Sequence, residues 1–216
     1  GSSFVITASA VVRESNKPNL FIFRDKEEAS YFLNDIESLL KNKVFFFPAS
    51  YRRAYQIEET DNTNILLRTK VLNKINQNKK PIIITYPEAL SEKVVNRKEL
   101  RKNTITLKIN DQIAIENLDE MLQHINFEKV DFVIASGQYS IRGGIIDVYS
   151  FADEHPFRLE FLDAEIESIR TFDINSQLSI NSTEKITIIP NTSAKRSIES
   201  KVSLLEYIPQ NTIIWA

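Results

Sequence analysis

The chain has 216 residues, 42% of them apolar, which is enough for one large folded domain or two small ones with a real core. Its 27 basic and 29 acidic side chains leave a formal charge of -2, so no global field attracts nucleic acid and any DNA contact has to be local. The absence of cysteine excludes a disulfide framework, thiolate zinc sites and cysteine nucleophiles together, and fits a reducing cytoplasm.

The first apolar stretch, Phe4 to Val12, is interrupted by Thr7 and Ser9 and lacks the basic flank of a secretory signal. No run of the sequence is long enough to span a bilayer, so no membrane partner is expected. Gly1-Ser2 reads as a cloning remnant and Ile213 to Ala216 as a strand with nothing to close it, the pattern of a segment cut at both ends. Leu20 to Phe23 is the first clear strand. Asp25 with Glu28 three residues on caps a helix whose buried stripe is Ala29, Phe32, Leu33, Ile36, Leu39 and Leu40. Val44 to Phe47 and Ile82 to Thr85 show no alternation and read as strands buried on both faces, with a helix marked by Leu67, Val71, Leu72 and Ile75 between them.

Near Thr104 the period changes. Ile105, Leu107 and Ile109 alternate with polar residues, and a short helix is expected to carry Ile115, Leu118, Met121, Leu122 and Ile125 inward. Strands then follow at Asp131 to Ile134, Gln138 to Arg142, Gly144 to Tyr149, Phe157 to Leu162 and Ile166 to Phe172, an antiparallel meander closed by Pro190. Ser197 to Ile208 reads as a helix and Thr212 to Trp215 as a strand, which restores the α/β rhythm. The expected architecture is therefore a discontinuous parallel-sheet α/β domain, residues 1–103 and 191–216, carrying an inserted β-rich α+β domain, residues 104–190.

The most informative stretch is Gly137-Gln138-Tyr139-Ser140-Ile141-Arg142-Gly143-Gly144-Ile145-Ile146-Asp147-Val148-Tyr149, which holds three of the four glycines. By itself Gly143-Gly144 is a tight turn or bulge between two strands. Together with His155 to Phe161, with Glu165-Ile166-Glu167-Ser168-Ile169-Arg170-Thr171-Phe172-Asp173 and with Gln177-Leu178-Ser179, the stretch resembles the signature of the UvrB homology module. That module is shared by the excision-repair protein UvrB and the transcription-repair coupling factors. Phe46-Phe47-Pro48-Ala49, Ile83 to Leu90 and Ser203 to Pro209 resemble the strands and return segment of the family's helicase-like α/β domain.

Two absences place the resemblance on the coupling-factor side. There is no Gly-Lys pair of a phosphate-binding loop, so no nucleotide cofactor is expected, and Tyr51 to Asn62 is too short for the DNA-clamping hairpin of UvrB. The resemblance then implies a non-catalytic docking module that recruits UvrA. It also implies that RNA polymerase and DNA are engaged only through other domains of the parent protein, and that another domain of the same full-length chain covers the docking face. The competing readings are a nucleotide-binding enzyme of UvrB type and a direct DNA-binding module. The interleaved run Lys93, Arg97, Lys98, Arg101 and Lys102 reads as a solvated helix face, and His124 and His155 lack the convergent partners of a metal or catalytic site. Asp163 and Glu165 read as solvated turn acids.

In Phe157 to Leu162 the odd positions are large and apolar and face the core, which leaves Arg158, Glu160 and Leu162 on the other face. The same alternation places Arg142 opposite Tyr139 and Ile141 in orientation. An ordinary cross-strand ion pair of Arg158 or Arg142 with Glu160 accounts for this pattern. The resemblance instead implies that Arg142, Arg158 and Leu162 contact UvrA. On that reading both arginines can be replaced by alanine at a cost of no more than about 0.5 kcal/mol in stability.

Overall fold

The computed structural model describes residues 2–40, 44–50, 62–77, 79–192 and 201–216. The fold is mixed α/β with parallel and antiparallel sheets. It divides into two compact units, Gly1–Glu99 with Thr192–Ala216, and Leu100–Asn191.

In the first unit, helix α1 (Ser2–Ser15) precedes strand β1 (Asn19–Ile22), helix α2 (Lys26–Leu40) and strand β2 (Val44–Phe46). Helix α3 (Asn62–Asn76) leads to β3 (Ile82–Thr85), the short helix α4 (Pro87–Ser91), β4 (Val94–Val95) and α5 (Arg97–Lys102), whose last three residues belong to the second unit. Asp25 accepts a hydrogen bond from the Glu28 amide at 2.9 Å, and Glu28 in turn accepts from the Arg24 amide, so the acid pair read from the sequence does cap α2. The stripe on α2 is narrower than expected: Ala29, Phe32, Ile36 and Leu40 are buried, while Leu39 is 40% exposed.

The sheet of this unit runs in the order of the last strand of the chain, then β1, β3 and β2, and all its pairings are parallel. Each residue of β3 is buried, as expected of a strand covered on both faces. That last strand, Ile213–Trp215, sits in register with β1 so that Phe21 and Trp215 stack at 5.1 Å, and Phe4 of α1 and Phe32 of α2 join the same aromatic cluster. Arg68 is buried, donates to the Pro48 carbonyl at 2.7 Å, pairs with Glu92 and lies over the Phe47 ring. The basic run is not solvated throughout, because Arg97 donates to the Tyr207 carbonyl at 2.8 Å. Lys93, Lys98, Arg101 and Lys102 are exposed.

In the second unit, β5 (Ile105–Lys108) precedes α6 (Ile115–His124), and strands β6 (Glu128–Lys129), β7 (Gln138–Arg142), β8 (Ile145–Val148), β9 (Phe157–Leu162), β10 (Glu165–Phe172), β11 (Ser179–Ser182) and β12 (Lys185–Ile188) follow. A six-stranded sheet runs β11-β10-β9-β8-β7-β6, antiparallel except for the parallel β6–β7 pair, and β12 pairs antiparallel with β5. Its core gathers Leu118 and Leu122 of α6 with Tyr139, Ile146, Val148, Phe157, Leu159, Ile166, Ile169 and the alternate residues of β5 and β12. Ile166 and Ile169 reach the same core because a bulge in β10 shifts the register between Ile166 and Ser168. Phe161 packs at the margin of this core, only partly buried.

Four expectations are corrected. Met121 is 40% exposed, because at 100° per residue it lies at the edge of the Leu118–Leu122–Ile125 stripe. Residues 131–134 form a loop and not a strand, since the Ile134 and Ala135 amides bond the Gln138 side-chain oxygen at 3.1 and 3.0 Å and not a neighbouring strand. Strands β11 and β12 lie where no strand was expected. Finally, the described part of the return segment is a two-residue strand β13 (Lys201–Val202) paired with β4 and one short turn of helix α7 (Leu204–Tyr207), before β14 (Ile213–Trp215). The remainder of the helix expected at 197–208, residues 197–200, lies outside the described residues, as do residues 51–61.

Candidate functional site

The chemistry-bearing side chains of the second unit collect on the face of the six-stranded sheet opposite the apolar core. A two-residue turn, Gly143-Gly144, joins β7 to β8 so that Arg142 faces Ile145 and Ser140 faces Asp147. Gly143 has φ 58°, and a Cβ on Gly144 would lie 3.0 Å from the Phe161 carbonyl oxygen, so the turn combines left-handed backbone with close approach of β9. The rows continue across the sheet, with Arg158 beside Asp147 and Glu160 beside Ile145 on β9, then Arg170 and Ser168 on β10. Strand alternation therefore places Arg142, Asp147, Arg158, Glu160, Leu162 and Arg170 on one face.

Asp147 is the centre of this face. Its carboxylate is 1% exposed and accepts from Arg158 Nε at 2.7 Å, from Arg158 Nη2 at 2.9 Å and from Arg142 Nη2 at 2.5 Å. Two guanidiniums thus share one buried carboxylate, an arrangement that satisfies the acid and leaves the cluster with one net positive charge.

The two arginines are not equivalent. The Arg158 side chain is 17% exposed, donates also to the backbone and side-chain oxygens of Gln177, and stacks on Phe172 with the guanidinium carbon 4.4 Å from the ring centre. Hydrogen bonding to Asp147 raises its pKa above the ordinary arginine value. Arg142 is 37% exposed, donates to the Asp131 carbonyl at 2.8 Å and to Ser140 Oγ, and lies 5.2 Å from the Phe132 ring centre. Leu162, at the end of β9, is 64% exposed.

Arg142, Arg158 and Leu162 lie on the face away from the core, as alternation predicts, but neither arginine pairs with Glu160. That acid accepts from Ser168 at 2.7 Å and pairs with Arg170. The expectation that both arginines can be replaced at a cost of no more than about 0.5 kcal/mol does not fit this geometry, because their joint removal would strand a buried carboxylate. The residue that sequence reasoning missed is Asp147. Its signal was present: once Gly143-Gly144 is a two-residue turn, Ser140 faces Asp147, and Arg142 and Asp147 share a face.

On the core side, Tyr139 Oη donates to Asp119 Oδ1 at 2.5 Å and Lys129 Nζ to Asp119 Oδ2 at 2.8 Å. These bonds, that of Lys129 foremost, hold the Asp119 carboxyl down at about 2, while burial and the bond to Asp119 push Tyr139 up to about 12. Asp163 occupies a turn with φ 55°, and Glu165 accepts from Gln112 at 2.6 Å. Among the described residues, no group of three His, Cys, Asp or Glu side chains could hold a metal ion, and no helix is long and apolar enough to cross a membrane.

The family model of the UvrB interaction domain matches residues 105–193, which include this whole face. The chain is also similar to a transcription-repair-coupling factor of Bacillus subtilis (strain 168), 29% identical over 209 residues that make up 96% of this chain and 18% of the relative. A transcription-repair-coupling factor of Haemophilus influenzae is 24% identical over 86% of the chain and 16% of the relative, and one of Escherichia coli (strain K12) is 28% identical over 57% and 11%. The chain spans less than a fifth of the length of these relatives. Residues 105–193 thus match the UvrB interaction domain, and the chain over most of its length is similar to transcription-repair-coupling factors.

Proposed function

We propose that the chain is a non-catalytic docking module which, in a protein that couples transcription to nucleotide excision repair, binds UvrA through the charged face of its UvrB interaction domain. The observation that carries the reading is the Arg142–Asp147–Arg158 cluster, flanked on the same face by the exposed Leu162. An arginine fixed by a buried acid loses less conformational freedom on binding than a free side chain, so it presents its remaining donors to a partner carboxylate at low entropic cost. Exposed apolar surface beside such a charge is the composition of a protein interface and not of an active site.

In this reading Arg142 supplies the accessible charge, Arg158 anchors Asp147 and exposes only its rim, and Leu162 adds apolar contact. The first unit is the companion α/β domain, in which Arg68 and Glu92 serve folding. RNA polymerase and DNA are engaged by other parts of the full-length protein.

The test is calorimetric titration of the chain with purified UvrA, repeated for Arg142→Ala and Arg142→Lys. Docking predicts saturable binding that weakens about 30-fold or more for alanine and is only partly restored by lysine, which lacks the planar fork. Absence of binding by the parent chain, with its fold verified, overturns the reading.

A further inference from the structure

We infer that the loop between β6 and β7 is a second, apolar half of the docking surface, with Phe132 as its anchor and Ile134 beside it. The inference rests on the docking function proposed above and adds residues that neither the strand alternation nor the resemblance pointed to.

Phe132 and Ile134 are 63% and 64% exposed, two large apolar side chains on either side of Val133, which is 1% exposed and fastens the loop to the protein. The loop is held at several further points. Gln138 Oε1 accepts from the Ile134 and Ala135 amides, the Gln138 amide donates to the Ala135 carbonyl at 3.2 Å, and Arg142 Nη1 donates to the Asp131 carbonyl at 2.8 Å. The last bond ties the loop directly to the charged cluster, and the Arg142 guanidinium lies over the Phe132 ring at 5.2 Å.

A slack loop would fold its apolar side chains back onto the protein, whereas this one is pinned with them outward. Ordering costs on binding are therefore small, and a rigid aromatic beside an arginine is the composition of an interface hot spot. The exposed ring also gives the arginine an apolar side, which water leaves only when a partner covers both. The occupant this surface fits is the protein surface that engages Arg142: an apolar pocket wide enough for an aromatic ring, bordered by a carboxylate. The net positive charge of two arginines sharing Asp147 sets the sign of that border.

The experiment titrates purified UvrA with the chain carrying Phe132→Ala, Ile134→Ala or Phe132→Leu, with the melting temperature recorded for each. We expect unchanged melting, binding about ten-fold or more weaker for Phe132→Ala, and smaller losses for Ile134→Ala and Phe132→Leu. If Phe132→Ala fails to fold, the other two variants carry the comparison. Phe132→Ala is then repeated on an Arg142→Lys background. A loss that persists there makes Phe132 a contact in its own right, whereas a loss that vanishes means that it acts only by steering Arg142, and overturns the inference. Undiminished binding by the loop variants, with Arg142→Ala impaired, also overturns it and leaves the docking function standing. If the parent chain does not bind UvrA, both fall together.

Discussion

The four-stranded parallel sheet and the six-stranded sheet solve the problem of polar groups in opposite ways. In β3 every side chain is apolar or, like Thr85, has its hydroxyl bonded to a backbone carbonyl, so that both faces serve the core. In β7, β8 and β9 only one face does. The other carries Asp147, as buried as the core residues around it, and holds it there with arginines. The difference teaches that a buried residue on the second sheet is not by that fact a core residue: burial under a polar network commits charged groups to a fixed geometry, which is what recognition requires and a core does not.

The strongest way to break this comparison is Asp147→Ala. It removes the shared acid and leaves Arg158 largely buried without an ion-pair partner, so we expect a loss of about 4 kcal/mol in urea denaturation. A loss below about 1 kcal/mol would mean that the polar face is solvated and the contrast between the sheets is false. Next is Ile84→Ala in β3, where a fully buried side chain is truncated and about 3 kcal/mol is expected, confined to the transition of the first unit.

The two arginines sharpen the contrast within the charged face. Arg158→Ala should cost about 2 kcal/mol, because Asp147 then keeps one ion-pair partner, while Arg142→Ala should cost about 1 kcal/mol or less in stability and yet weaken UvrA binding more than any stability change explains. Equal effects of the two on melting would show that their different exposures are without consequence.

A titration separates the core side of the same sheet from its charged side. Asp119 has a depressed folded-state pKa of about 2, so its contribution is fully present above the unfolded value near 4 and is lost as pH falls toward 2. Asp119→Asn should lower stability at pH 7, where that contribution is fully present, and flatten the acid limb of stability against pH in that window. An unaltered limb would assign acid sensitivity to other groups. The smallest effect is expected for Leu162→Ala, within about 0.5 kcal/mol in stability because the side chain is exposed, with a modest weakening of binding.

Periodicity and punctuation were sufficient for much of this protein. Unbroken apolar runs identify β2 and β3 as strands, Asp25 and Glu28 mark the start of α2, and Gly143-Gly144 marks the hairpin that aligns β7 with β8. Alternation also put Arg142, Arg158 and Leu162 on the face away from the core. Strand β11 was illegible because all four of its residues are exposed, leaving no hydrophobic period to read. The loop at 131–134 carries apolar residues that look like a strand. What denies it a ladder is the side chain of Gln138, a competitor invisible to propensity.

The linear sequence determined which residues alternate, where the chain turns and which face each strand gives to the core, because those depend on neighbours two to four positions away. Only the tertiary structure decided that Asp147 sits beneath both arginines, that Glu160 belongs to Arg170, and that Phe172 and Gln177 cover Arg158 while Phe132 borders Arg142. Partner choice among charges depends on distance and desolvation across strands that lie far apart in the chain, and a sequence pattern carries neither quantity.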